Sequence, residues 1–163
     1  MNHHCILHVE DDDNDFFFVE NAAKTVGLKN TIHRARDGQE AIDYLSGVGP
    51  FADRQAFPFP CLVLLDMKMP RVMGMEVVRW IRDNPALRNL IVVVLSSSPV
   101  SGDVDTAYDL GVNSFLVKPS GIEKYEHIVR LLRDYWLDVN ELPSVCHNPH
   151  AQLNIRRFPN LER

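Results

Sequence analysis

Four apolar runs in this chain each end at residues that can do chemistry. The runs and the residues that follow them are 5–9 with Glu10 and Asp11, 61–65 with Asp66, 91–95 with Ser96, and 114–117 with Lys118. A run of about four to eight apolar residues bounded by turn signals is typical of a strand buried on both faces. Because open α/β sheets bind ligands outside the carboxyl ends of their strands, we expect these side chains to meet at one edge of one sheet.

The acidic members of this set favour a cation site. Glu10, Asp11 and Asp66 would bring three like charges together, and such charges repel unless they are protonated or bridged by a cation. A cluster of carboxylate oxygens suits Mg²⁺, which keeps several waters and coordinates phosphate groups.

The remaining members point to phosphoryl transfer. Asp66 stands alone on its loop and is the candidate nucleophile, since carboxylates can form acyl phosphates. Lys118 can neutralise charge on the transferred phosphoryl oxygens, and Ser96 can donate a hydrogen bond to one of them. Positioning and electrostatics would then do most of the catalysis.

The elements that must position these residues alternate between strands and helices. Residues 31–35 add a fifth, short strand pattern. Helices are predicted from Asn14 or Asp15 to about Gly27, from Gly38 through Leu45, over 74–84, over about 101–110 and over 122–139. This (βα)5 order predicts right-handed crossovers and a parallel sheet with helices on both faces.

The segment 47–60 interrupts this alternation with glycines, prolines and three phenylalanines. It is long for a helix-to-strand connection, where about two to six residues are usual. Two interpretations stay open, a lid packed over its own aromatic side chains or a docking surface.

In its motifs the chain resembles the response-regulator receiver domain of two-component signalling. The matching motifs lie at 9–12, at 64–70 with Gly74, at 94–96 and at 117–119, and the resemblance covers residues 4–139. It implies a flavodoxin-like fold with strand order 2-1-3-4-5. It also implies a Mg²⁺ or Mn²⁺ cofactor and a sensor histidine kinase as partner.

The resemblance implies a role for each site residue. Asp66 looks like the phosphoacceptor, and Glu10 and Asp11 look like the acidic pair, with Asp11 the more direct metal ligand. The backbone carbonyl of Lys68 would be a further metal ligand. Lys118 looks like the lysine of the site.

Two switch residues are also implied, and both depart from the commoner family pattern. Ser96 looks like the switch hydroxyl and replaces threonine, which keeps the hydroxyl. Phe115 looks like the switch aromatic and lacks the hydroxyl of tyrosine, so it would act by packing alone. The Lys118–Pro119 bond is expected to be cis, because such bonds occur almost only before proline.

Within the family, the chain looks most like the small regulators that pair with bacterial and cyanobacterial phytochrome kinases. Three features carry this likeness: the acidic residues 10–12 followed by Asn14 and Asp15, the insertion at 47–60, and the serines at 96–98. Two alternatives are a pseudo-receiver that only binds proteins and an aspartyl-phosphate phosphatase. Phosphatases of that type generally need a second acid two residues after the nucleophile, where this chain has Lys68.

The bulk composition narrows the class of protein and its location. The chain has 163 residues, enough for one domain with a full core. A net charge of −5 argues against direct nucleic-acid binding. Three cysteines without CxxC spacing and no apolar run near about 18 residues favour a cytoplasmic protein that does not enter the membrane.

The carboxyl-terminal part carries more apolar residues than one sheet face can cover. Tyr135, Trp136 and Val139 spread around the last helix, and residues 140–163 follow as an extension too short for an output domain. Aromatic residues left on a surface commonly mark an interface, so we expect a homodimer. The extension either reaches across to the partner as an exchanged arm, or it folds on its own domain or is disordered.

Overall fold

A five-stranded parallel sheet forms the centre of the computed structural model, which describes residues 4–97, 100–148, 150 and 152–156. The strands are β1 (Cys5–Val9), β2 (Ile32–Ala35), β3 (Pro60–Leu65), β4 (Ile91–Ser96) and β5 (Ser114–Val117). The helices are α1 (Asp13–Thr25), α2 (Gly38–Ser46), α3 (Gly74–Asp83), α4 (Ser101–Asp109) and α5 (Ile122–Leu131). The observed strand order β2-β1-β3-β4-β5 confirms the predicted doubly wound, flavodoxin-like fold.

Every residue of β1, β3 and β4 is buried, as their continuous apolar runs predict. A parallel sheet needs crossover helices, which cover both of its faces and make central strands apolar on both sides. In the described residues, no helix has the length and apolar character needed to cross a membrane.

The chain reverses direction across the sheet between β1 and β3, and this reversal locates the site. From β1 the chain moves outward to β2, and from β3 it moves to the other side, so a crevice opens at the carboxyl ends of β1 and β3. Val9 and Leu65 are register partners, and the Asp66 N–H donates to the Val9 carbonyl at 3.0 Å. Glu10 and Asp66 therefore leave neighbouring strands side by side.

The first helix begins earlier than the sequence predicts. Its N-cap is Asp12, whose carboxylate accepts hydrogen bonds from the N–H groups of Asn14 and Asp15 at 2.8 and 2.9 Å. The predicted start, with Asn14 or Asp15 capping the helix, is wrong, because the carboxylate of Asp12 already accepts from the free N–H groups of these two residues. Asp15 is thereby placed in the first helical turn.

The predicted helix over 122–139 is two elements. Beyond α5 the chain continues as a π-helical segment, Leu132–Val139, in which hydrogen bonds span five residues. Leu132, Trp136 and Leu137 all pack against the core, and their spacings of four and five residues fit the wider turn. The guanidinium of Arg133 fixes the segment to the end of α1 by donating to the Val26 carbonyl at 2.6 Å.

The insertion 47–60 packs over its own aromatic side chains. Phe51 and Phe57 stand edge to face, with ring centroids 5.2 Å apart, and both contact the ring of Tyr44. Arg54 is buried and donates to the Tyr44 and Leu45 carbonyls at the end of α2, each at 2.8 Å. The arginine thereby satisfies carbonyls that the helix leaves without partners.

The extension folds back on its own domain at the amino-terminal end of the sheet. A 3-10 turn, Ser144–Cys146, buries Cys146, whose thiol donates to the Cys61 carbonyl at 3.6 Å. The Arg156 carbonyl accepts hydrogen bonds from the side chains of Trp80 and Asn84, each at 3.1 Å. Of the earlier expectations, Ser98 and the end of the extension at 157–163 lie outside the described residues.

Candidate functional site

Glu10, Asp11 and Asp66 come together at the carboxyl ends of β1 and β3. One carboxylate oxygen from each lies within 4.8 Å of the others, and in the described part of the chain no second group of this kind occurs. Glu10 and Asp66 are buried, whereas Asp11 is exposed. The triad therefore has two fixed, inward carboxylates and one that faces solvent.

The electrostatic cost of the triad appears in the pKa of Glu10. Burial raises the pKa of this carboxyl to about 7, and the charge of Asp66 adds to the effect, while Lys118 and the Asp12 N–H oppose it. The N–H group of Asp12 donates to Glu10 Oε1 at 3.1 Å. Close carboxylates in such a place are stabilised by a bound cation.

Lys118 supplies the ammonium group of the site. Its Nζ lies 2.7 Å from Asp15 Oδ2, 2.7 Å from Glu10 Oε2 and 3.3 Å from Asp66 Oδ2. The Glu10 contact is an ion pair without hydrogen-bond geometry, whereas Asp15 and Asp66 accept hydrogen bonds. Burial alone would lower the pKa of Lys118, but these carboxylates raise it above its ordinary value, so the amine stays charged.

Both oxygens of the Asp66 carboxylate are held. Oδ2 faces Lys118, and Oδ1 accepts the Lys68 N–H at 3.3 Å. The Lys68 side chain points into solvent, and the role of its carbonyl stays a prediction. Gly74 lets the start of α3 approach this loop, because a Cβ there would lie 2.5 Å from the Asp66 carbonyl oxygen.

Ser96 and Phe115 lie on the neighbouring strands. Ser96 is buried at the end of β4, and its carbonyl accepts the Lys118 N–H at 2.8 Å, which ties the ends of β4 and β5 together. Phe115 is partly buried in β5, and its N–H donates to the Tyr108 hydroxyl at 3.2 Å. The expectation of a cis Lys118–Pro119 bond is wrong: the bond is trans, which X–Pro bonds favour intrinsically by about 0.5–1 kcal/mol.

The sequence analysis missed the anchor of the acidic loop. Arg34, in β2, donates to the carbonyls of Glu10 and Asp11 at 2.9 and 3.0 Å and pairs with Asp13 at 2.5 Å. Its guanidinium also lies over the ring of Phe16, 4.7 Å from the centroid. The sequence did contain a signal for this anchor, because Arg34 is a charged residue within a short strand that was expected to lie beside β1.

It also missed two residues that reach the site from helices. Asp15 contacts Lys118 from α1, and the Tyr125 hydroxyl in α5 donates to Asp15 Oδ1 at 3.4 Å. Both contacts join residues more than 100 positions apart in the chain. Local spacing carries no signal for either contact.

Comparison with known proteins agrees with the geometry. The family model of the response regulator receiver domain matches residues 6–130. The probable methanogenesis regulatory protein FilR2 of Methanothrix harundinacea is 36% identical over 139 residues, which span 85% of this chain and 87% of FilR2. The response regulator Rcp1 of Synechocystis is 34% identical over 139 residues, 85% of this chain and 92% of Rcp1.

Solved structures show the same likeness. The phosphorylated cyanobacterial phytochrome response regulator RcpA superposes with a TM-score of 0.80 at 34% identity, covering 87% of this chain and 99% of RcpA. The Mn²⁺-bound form of Rcp1 superposes with a TM-score of 0.77 at 33% identity, covering 86% of this chain and 99% of that one.

The donor set of the triad fits a hard divalent cation. All three side chains offer carboxylate oxygens, the ligands that Mg²⁺ prefers and Mn²⁺ accepts. No nitrogen or sulfur donor joins the group in the described residues, which does not favour a zinc or copper site.

Asp11→Asn should weaken Mn²⁺ binding at least about tenfold, because it removes one full charge from the cation site. Isothermal titration calorimetry with MnCl₂ measures the affinity. Asp12→Asn is the matched control, since it makes the same charge change one residue away and asparagine caps a helix about as well as aspartate. Equal losses of Mn²⁺ affinity in the two variants would show that Asp11 acts only through the net charge of the region and not as a metal ligand.

Proposed function

The chain belongs to the response regulator receiver family, a family of signalling domains, and we propose that it accepts one phosphoryl group from a histidine kinase on Asp66. The observation that carries this proposal is the position of Asp66. Its carboxylate stands at the end of β3, beside two further carboxylates that can hold a cation and 3.3 Å from the Lys118 ammonium.

The chemistry follows from these contacts. An oxygen of Asp66 attacks the phosphorus of a phosphohistidine, an O–P bond forms, the N–P bond breaks, and imidazole leaves with the electron pair. Glu10 and Asp11, with the Lys68 carbonyl and Asp66, would hold Mg²⁺ or Mn²⁺, which neutralises phosphoryl oxygens when bound. The Lys68 N–H and Lys118 orient the attacking carboxylate, and Lys118 also neutralises charge on the transferred group.

The two alternative functions are not favoured. A pseudo-receiver would have no need of the triad and its lysine. An aspartyl-phosphate phosphatase would need a second acid two residues after the nucleophile, and this chain has the exposed Lys68 there. We propose only self-catalysed phosphoryl transfer and hydrolysis.

Asp66→Asn should abolish phosphorylation while the fold persists, because asparagine keeps the shape and removes the nucleophilic carboxylate. Intact mass after incubation with acetyl phosphate and Mg²⁺ measures the gain of one phosphoryl group. Omitting the divalent cation should stop the gain in the wild type. A variant modified at the wild-type rate would place the phosphoacceptor elsewhere.

We propose that Ser96 and Phe115 carry part of the response. The phosphoryl group adds about −1.5 to −2 charges and strong acceptor oxygens. The Ser96 hydroxyl can turn to meet it, and Phe115 can follow into the space that opens. The bond between the Lys118 N–H and the Ser96 carbonyl couples the two strand ends in this movement.

Ser96→Ala should accept phosphate but lose most of the phosphate-dependent shift of amide signals beyond β4. The reason is that alanine cannot donate the hydrogen bond that favours the moved loop. Ser97→Ala, at the exposed neighbouring position, should behave as wild type. NMR spectra with and without beryllofluoride compare the three proteins, and an unchanged shift in Ser96→Ala would remove this residue from the switch.

We propose a phytochrome-type kinase as the phosphodonor, because Rcp1 and RcpA match over almost their whole length. FilR2 has a different named role at similar identity, which makes a direct comparison necessary. A phytochrome kinase should transfer phosphate faster than a kinase without that sensor, and equal rates would oppose the pairing.

The three buried free thiols suit a reducing compartment, and we place the protein in the cytoplasm.

We propose a homodimer through the outer face of the last helical region. Leu131, Tyr135 and Val139 are 52, 55 and 73 % exposed, large values for apolar side chains. Trp136 packs partly against the core and stands edge to face with Tyr135. It therefore supports Tyr135 from the inner side and contributes less of the exposed surface. Two copies related by a twofold axis would bury the same patch on each.

Tyr135→Lys should raise the dimer dissociation constant at least about tenfold, because it puts a charge into a buried apolar contact. Sedimentation equilibrium of the wild type and the variant measures it. Met73→Lys changes an equally exposed residue elsewhere and is the control. A chain ending at Asn140 should still dimerise, since the described part of the extension contacts its own domain. A monomer there, with a dimeric full chain, would place the interface in the extension.

A further inference from the structure

The Lys118 ammonium has a closer hydrogen-bonded partner than the proposed phosphoacceptor. The distance from Nζ to Asp15 Oδ2 is 2.7 Å, against 3.3 Å to Asp66 Oδ2. The lysine side chain is 8 % exposed, so water competes weakly for these contacts. In the unphosphorylated protein the ammonium is therefore held mainly by Asp15 and Glu10.

Asp15 differs from the other carboxylates around this lysine. Glu10 and Asp66 belong to the triad that can hold a cation, and a bound cation would take up part of their charge. Asp15 is not part of the triad. Its pull on Lys118 would therefore persist when the triad is loaded.

Asp15 is also fixed in place from two sides. Its own N–H is held by the cap residue Asp12 at 2.9 Å, in the first turn of α1. Its second carboxylate oxygen accepts a hydrogen bond from the Tyr125 hydroxyl in α5. The Tyr125 side chain is buried, with its ring 5.5 Å from that of Phe18 between the two helices.

We propose that Asp15 is a positioning residue that holds Lys118 back from Asp66 until a phosphoryl group arrives, and that Tyr125 connects this exchange to α5. The inference rests on the proposed function of Asp66. A phosphoryl group attracts the ammonium through about −1.5 to −2 charges, so Lys118 must loosen its contact with Asp15. Loss of the contact between Lys118 and Asp15 makes the phosphorylated state less stable than it would be without Asp15.

Removal of the Asp15 charge should have opposite effects on two ligands. In Asp15→Asn, Lys118 is free to bind a phosphoryl analogue, so beryllofluoride at saturating Mg²⁺ should bind roughly tenfold tighter, the lower end of what one hydrogen bond to a charged group contributes. Mn²⁺ alone should bind a few-fold more weakly, because the ammonium moves toward Glu10 and Asp66 and a negative charge is lost. A purely structural defect would weaken both ligands.

Three further variants sharpen the experiment. Glu20→Gln makes the same charge change on α1 at a residue paired with Lys24, and should leave both affinities at wild-type values. Asp15→Glu retains the charge and should return both affinities toward the wild type. Tyr125→Phe keeps the ring but not the hydroxyl, and should reduce the beryllofluoride-dependent shifts of α5 amides while the shift at Ser97 persists.

The outcomes separate this inference from the function beneath it. A wild type that binds no beryllofluoride and gains no phosphoryl group would contradict the proposed function itself. A competent wild type with unchanged or weaker beryllofluoride binding in Asp15→Asn would overturn the role of Asp15 alone. Unaltered α5 shifts in Tyr125→Phe would overturn the connection to that helix. If Asp15→Asn fails to fold, the same comparison is made with Asp15→Ser, and its outcomes count in the same way.

Discussion

The concentration of negative charge at one edge of the sheet is the constraint on which the rest of the structure depends. Glu10, Asp15 and Asp66 contact a single ammonium group, that of Lys118, and Asp11 lies close to Glu10 and Asp66. One positive charge cannot balance four negative ones, and the charge of Asp66 adds to the burial that mainly raises the pKa of Glu10. The balance improves when a divalent cation enters, and the site then has the charge needed to receive a phosphoryl group.

The fold holds this charge by fixing the backbone around it, in addition to the hydrogen-bond and ion-pair partners of the carboxylates. The parallel register places Glu10 beside Asp66, Arg34 holds the carbonyls of the acidic loop, and Gly74 lets α3 close on the next loop. The insertion and the extension pack at the other end, where the Gln152 side chain donates to the Ala52 carbonyl at 3.2 Å. In the described residues, these contacts of the insertion and the extension lie away from the carboxyl edge of the sheet.

The alternation of strands and helices could be predicted from the sequence because its signals were local, whereas the strand order followed from the resemblance to the receiver family. Four of the five strands are short apolar runs, and each of these runs is followed by a charged or hydroxyl residue, so the parallel order alone brings Glu10, Asp66 and Lys118 to one edge. The contacts of Asp15 with Lys118 and Tyr125 depend instead on how α1 and α5 pack, which no spacing reveals. The π-helical turn and the path of the extension likewise depend on long-range contacts, such as the bond from Arg133 to Val26.

In the proposed switch, the departures at Ser96 and Phe115 would change how a signal leaves the site. Phe115 has no hydroxyl, so the β5 side can respond only by repacking a partly buried ring. The polar path through Lys118, Asp15 and Tyr125 instead reaches α5, which packs directly on α1 and leads into the π-helical segment. A shift of Tyr125 would be passed from α5 into the π-helical segment that follows it directly and carries the exposed Tyr135. Phosphorylation and dimerisation would then be linked, and by reciprocity dimer formation would change the stability of the phosphorylated state by the same free energy as phosphorylation changes that of the dimer.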